Sequence, residues 1–113
     1  MSGTTEKGRK DTIEEFGEAV NMTPSSLKEW LATEESKEVG QSDGGGESTG
    51  HASGRRIVEL LEKRNSDLTD NDIAHMRKVV GYVHRHLAQR PSGDVRETSW
   101  RFSLMNWGHD PLA

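Results

Sequence analysis

Apolar residues recur along this chain at steps of three and four, and no stretch of any length alternates as a strand does. Ile13, Phe16 and Val20, with Ala19 beside them, predict a first helix capped by Asp11 or Thr12 and stopped at Asn21. Leu27, Trp30 and Leu31 predict a second, with Thr23 as N-cap and Pro24 at the first helical position, where its missing N–H costs nothing. About three residues join the two, the spacing of a helix-turn-helix, and small Gly17 falls where such a pair would come close. Ile57, Leu60 and Leu61, widened by Val58, predict a third helix from Gly54 to about Arg64, capped by Ser53.

Thr69 with Asp72 three residues on is a shortened capping box. It opens the longest periodic run, in which Ile73, Met76, Val80, Val83 and Leu87 share one face and Val79 lies at its edge, and Pro91 ends it. Behind Thr98 or Ser99, the residues Trp100, Leu104 and Trp107 stand at i, i+4 and i+7, with Gly108 as the stop. Two tryptophans so close together need burial, and the long helix is the surface they are expected to cover.

The expectation is therefore a small all-α domain of about five helices. A helix-turn-helix-like hairpin occupies 11–38, a flexible Gly/Ser-rich loop 40–53, and a basic helical part 54–113, containing a long central basic helix and a short C-terminal Trp-containing helix. Residues 1–10 are polar and patternless and are expected to form a disordered leader. At 113 residues, with 30% apolar and 30% charged side chains, one domain with a thin core is implied.

Charge changes this picture. The net charge is −4, which is not the overall signature of a nucleic-acid binder. The distribution is two-sided, however. Residues 11–47 are acid-rich, with Lys28 and Lys37 their only cations, whereas 55–90 hold Arg55, Arg56, Lys63, Arg64, Arg77, Lys78, Arg85 and Arg90 with three histidines. The absence of cysteine excludes disulfides and thiolate metal sites and suits a reducing cytoplasm. No apolar run suggests a signal peptide or a membrane span, so a cytoplasmic protein without membrane contact is expected.

The stretch GHASGRRIVELLEK, residues 50–63, is the sharpest chemical signal. Read as a helix start, Ser53 and Gly54 allow close backbone approach, while Arg55 and Arg56 sit where the helix dipole disfavours cations. An anion held there, a phosphate or a carboxylate from elsewhere in the chain, explains the arrangement. No GxxxxGK[ST] pattern makes it a nucleotide loop. On the long helix Lys78 and Arg85 stand seven apart on one side, and Arg77 and His84 do so on another. Ala74, Gly81 and Ala88 leave a flat approach between them, and Tyr82 adds a stacking group. The alternative for this face is a solvated basic helix.

Other chemistry is poorly supported. His84 and His86 point about 200° apart on a helix, and only Asp72 with His75 is spaced as a ligand pair. No recognised nucleophile context surrounds Ser48, Ser53, His51 or the His109–Asp110 pair, so no catalytic residue, metal or cofactor is assigned.

The blocks VNMTPSSLKEWL, GHASGRRIVELLEK, HMRKVVGYVHRHLAQRP and LMNWGHDP, taken in order, resemble domain-of-unknown-function family 3140 over roughly residues 11–113. The resemblance implies one fold for the four blocks and no established activity. Members of that family often carry a DNA-binding label. The leading expectation is nucleic-acid (DNA) binding through Ser53, Gly54, Arg55, Arg56, Arg77, Lys78, Tyr82, His84, Arg85 and Arg90. The alternative is a protein-interaction or stress-associated accessory module whose partner is another protein. A small enzyme around His51 and His109 is the weakest reading. The first two part on one observable, whether Glu14, Glu18, Glu29 and Glu34 fold back over the basic face.

Overall fold

Thr23 and Thr69 begin helices as the pattern predicts. Thr23 Oγ1 accepts from the Ser26 N–H (3.1 Å) and Ser26 Oγ accepts from the Thr23 N–H (3.0 Å). Thr69 and Asp72 reciprocate in the same way at 3.1 and 3.0 Å. A computed structural model describes residues 2–39 and 49–113. Its order is α1 Ser2–Ala19, α2 Pro24–Leu31, α3 Glu34–Val39, α4 Thr49–Glu62, a 3₁₀ turn Asn65–Asp67, α5 Asp70–Leu87 and α6 Ser99–Asn106, all helical with no strand among the described residues.

α5 is the spine. Ile73, Met76, Val79, Val80 and Val83 are all buried, and α1 lies along them with Phe16 and Ala19. α2 packs on α4 and α6, and α3 packs on α6. Trp100 and Trp107 are buried, and Trp100 Nε1 donates to the His86 carbonyl at 2.6 Å.

Three expectations need correction. First, α1 and α2 do not form a hairpin, because each turns its apolar face to a different partner; Gly17 is exposed and a Cβ there would meet nothing within 4 Å. Their junction is tied instead to the C-terminal segment. The N–H groups of Asn21 and Met22 donate to the Gly108 carbonyl (3.1 and 3.2 Å), and His109 Nδ1 donates to the Ala19 carbonyl (2.7 Å). The Asn21 side chain and the Asp110 backbone exchange two further bonds of 2.9 and 2.8 Å. Gly108 has φ +83° and a Cβ there would lie 2.9 Å from Val20 Cγ1, so both conformation and space call for glycine.

Second, α1 begins at Ser2, so it includes most of the stretch read as a disordered leader. Arg9 reaches Asp70 at 3.5 Å and donates to the Leu68 carbonyl, which fastens that part of the helix to the start of α5. Third, α4 begins at Thr49, so Ser53 lies inside the helix and caps nothing. The rest of the expected Gly/Ser-rich loop, residues 40–48, lies outside the described residues.

Candidate functional site

Because α4 starts a full turn early, Arg55 and Arg56 stand in its second turn and the anion-binding helix start read from the sequence is not built there. What Arg56 meets is a carboxylate of the same chain. Asp72, 3% exposed, accepts from Arg56 Nη2 at 2.9 Å through one oxygen and from Lys63 Nζ at 2.6 Å through the other. The Lys63 hydrogen bond, the Thr69 N–H and the Arg56 hydrogen bond hold the Asp72 carboxyl far below the usual carboxylate range, against the opposing effect of burial. Arg56 in the second turn of α4 and Lys63, the residue that follows its end, stand seven apart, close to two helical turns, and both reach this one carboxylate.

Ser53 and Gly54 are buried as well. Ser53 Oγ and His75 Nε2 share a hydrogen bond of 3.0 Å. A Cβ on Gly54 would stand 2.5 Å from the Asn106 carbonyl oxygen and 2.6 Å from Leu31 Cδ2, so this glycine is required by the contact of α4 with α2 and α6. Arg55 is exposed on α4.

The cations of α5 divide into two sets. Arg77 is directed to α1, its Nε donating to Thr12 Oγ1 at 3.1 Å. Lys78, His84 and Arg85 are exposed, and neither Lys78 nor Arg85 takes part in an ion pair among the described residues. Within the same limits, no ion pair joins Glu14, Glu18, Glu29 or Glu34 to this face. Arg85 leans back over the small Gly81, with Nη1 3.0 Å from where a Cβ would be. Arg90 lies 5.5 Å from the Trp100 ring centroid, a cation–π contact.

Tyr82 is not a free stacking platform. It stacks on Trp107 at 4.2 Å and on His86 at 5.0 Å between centroids. His75 and Trp100 extend the series at 6.4 Å each, with interplanar angles of 12° and 13°. Burial pushes the Tyr82 phenol up, partly offset by its hydrogen bond with Ser103. Burial pushes both His86 and His75 down; for His75 the Arg56 and Lys78 charges act in the same direction and Asp72 opposes them.

Beside this series a cleft of about 370 Å³ opens between α4 and α5, lined by Thr49, Ser53, Arg56, His75, Lys78 and Trp107 among others. It collects Ser53, Arg56 and Lys78 from the residues singled out in the sequence. Arg77, Arg85 and Arg90 do not line it.

The described residues contain no group of three or more His, Asp or Glu placed to hold a metal ion, and no helix long and apolar enough to cross a membrane. His109 and Asp110 serve the fold: Asp110 accepts from Arg101 Nε and Nη2 at 3.1 Å each, and the pair is largely buried. Burial alone would raise the Asp110 carboxyl, but the Arg101 hydrogen bonds, the Leu112 N–H and the Arg101 and His109 charges hold it below the usual range. Sequence reading treated Asp72 as a cap and overlooked its second role. The seven-residue spacing of Arg56 and Lys63 was the available signal.

No curated protein and no solved structure matches the chain. Residues 15–105, spanning the end of α1, all of α2 to α5 and most of α6, match the family model described as protein of unknown function DUF3140, and the chain belongs to that family.

Proposed function

We propose that this protein binds nucleic acid, DNA foremost, through the exposed cationic side of α5. The observation that carries the reading is the state of Lys78 and Arg85. Asp72 occupies Arg56 and Lys63, Glu62 occupies Lys28, and Asp110 occupies Arg101, yet these two cations face water together without a carboxylate partner among the described residues. A row of unpaired cations two helical turns apart suits phosphates, which position a protein without reading sequence. His84 is exposed on an adjoining side of α5, and Arg90 follows the end of the helix. No base-reading element is included, because the N-terminal helices do not pack as a hairpin and Tyr82 is stacked within the fold. A cytoplasmic setting belongs to the same proposal.

The overall charge of −4 favours a second reading, in which a protein partner supplies acidic side chains to the same row. One experiment separates the two: titration of the full chain with a labelled random-sequence duplex, and with a matched RNA, across a salt series. Lys78→Glu/Arg85→Glu is the control, since both side chains are exposed and their loss leaves the Asp72 ion pairs intact. Binding that steepens at low salt and disappears in the double variant supports the nucleic-acid reading. No binding at low salt overturns it in favour of a protein partner.

A further inference from the structure

We infer that the cleft between α4 and α5 is a phosphoryl site, in which Lys78 and Arg56 take the oxygens of one phosphate group at the rim and Ser53 and His75 stand behind it. This deepens the nucleic-acid reading, on which it rests, by naming one cleft in which a phosphate is received.

Charge comes first. Arg56 and Lys78 are the two cations that line the cleft; Arg56 shares the Asp72 carboxylate with Lys63, which lies outside the cleft, and Lys78 has no carboxylate partner among the described residues. These cations therefore keep a positive surplus that one more anion can neutralise. A phosphomonoester carries about −1.5 to −2 at neutral pH and three acceptor oxygens, which suits a guanidinium and an ammonium on neighbouring helices.

Depth comes second. Ser53 is 4% exposed and shares its hydrogen bond with a half-buried His75, so the cleft that Arg56 and Lys78 line has a polar wall. The depressed basicity of His75 has the Arg56 and Lys78 charges among its causes, which places both cations within electrostatic reach of the imidazole. An anion seated between them relieves that repulsion.

The third argument concerns the class of ligand. Trp107 is 4% exposed and already stacked on Tyr82 and His75. A nucleobase finds no open ring face here, so the recognised group is the phosphoryl and not the base. It comes from one of two sources, a terminal phosphomonoester or the phosphodiester backbone.

The test is a titration of the isotope-labelled full chain followed at the His75 side chain and the Ser53 amide, at constant ionic strength. Three probes are used: inorganic phosphate, a short single strand bearing a 5′-phosphate, and its 5′-hydroxyl twin. The expected result is saturable shifts with inorganic phosphate, weakened about tenfold or more by Lys78→Gln and unchanged by Arg64→Gln, which lies outside the cleft. Shifts from the 5′-phosphorylated strand alone assign the terminal group, whereas equal shifts from both strands assign the backbone. Shifts that survive Lys78→Gln, or silence at His75 with every probe, overturn the inference even where duplex binding persists. Phosphate shifts without any duplex binding overturn the nucleic-acid reading and leave the cleft assigned.

Discussion

Trp30 Nε1 donates to Asn106 Oδ1 across 2.7 Å, joining residues 76 positions apart. The same oxygen accepts from Ser36 Oγ, and Asn106 Nδ2 donates to the Ser36 carbonyl at 3.0 Å. One 1%-exposed amide thus holds α2, α3 and α6 together. Asn106→Ala strands an indole N–H and a buried carbonyl, and a loss of about 1–3 kcal/mol in urea unfolding is expected. A change within about 0.5 kcal/mol, the range of ordinary surface substitutions, would show that the network contributes nothing net.

Two glycines should respond to alanine with opposite signs. At Gly54 the added methyl meets a backbone oxygen at 2.5 Å, which cannot swing away, and about 1–3 kcal/mol should be lost despite alanine's better helix propensity. At Gly17, helical and exposed with nothing within 4 Å, alanine should stabilise by about 0.5–1 kcal/mol. Thermal melting of both variants checks the pair. Equal signs would place the α4 contact with α2 and α6 elsewhere than described.

Acid should unfold the protein in two stages of one sign. His75 and His86 are depressed below their ordinary 6.5, so the unfolded chain binds the protons more readily. Their contribution is complete above about pH 6.5 and is lost as pH falls through their lower folded values. Asp72 and Asp110 are depressed below 3.8, so their share is present above that pH and is lost below it. Denaturant midpoints at successive pH values should therefore fall first as the pH drops below about 6.5 and again below about 3.8. A profile that stays flat as the pH drops below about 6.5 is the result that would contradict the lowered basicity of the half-buried histidines.

For nucleic acid, the salt dependence carries the magnitude. Each phosphate contact contributes about 0.9 to the slope of log K against log salt, so Lys78→Glu/Arg85→Glu should lower that slope by about 2 or more, equally for unrelated sequences. A slope that changes for one sequence only would indicate base contacts, which the proposed face does not include.

Much of the architecture was legible because local rules and tertiary packing agree. The capping box at Thr69, the apolar face of α5 and the burial of Trp100 and Trp107 follow from spacing alone. Reading failed where small residues had two meanings. Thr49 and Gly50 look like linker and Gly54 like a helix start, yet a Cβ on Gly50 would stand 3.3 Å from Trp107 Nε1 and one on Gly54 would clash with Asn106. Those glycines let α4 approach α6, so the helix starts earlier than its apolar stripe does. The site was half legible for a related reason. The cations could be enumerated, but which of them Asp72 neutralises depends on the meeting of α4 and α5, a contact that spacing within either helix does not contain.

The strap of Gly108, His109 and Asp110 across the end of α1 also bears on the order of folding. Its bonds close loops of 89 and 90 positions, among the longest in the molecule, and such closures are entropically slow. During synthesis, which proceeds from the N-terminus, α1 and α2 emerge long before the residues that fix their junction. The acid-rich helices must wait for a segment made about ninety residues later. Cleavage ahead of Gly108 would strip the end of α1 of its partners without touching the cationic face of α5.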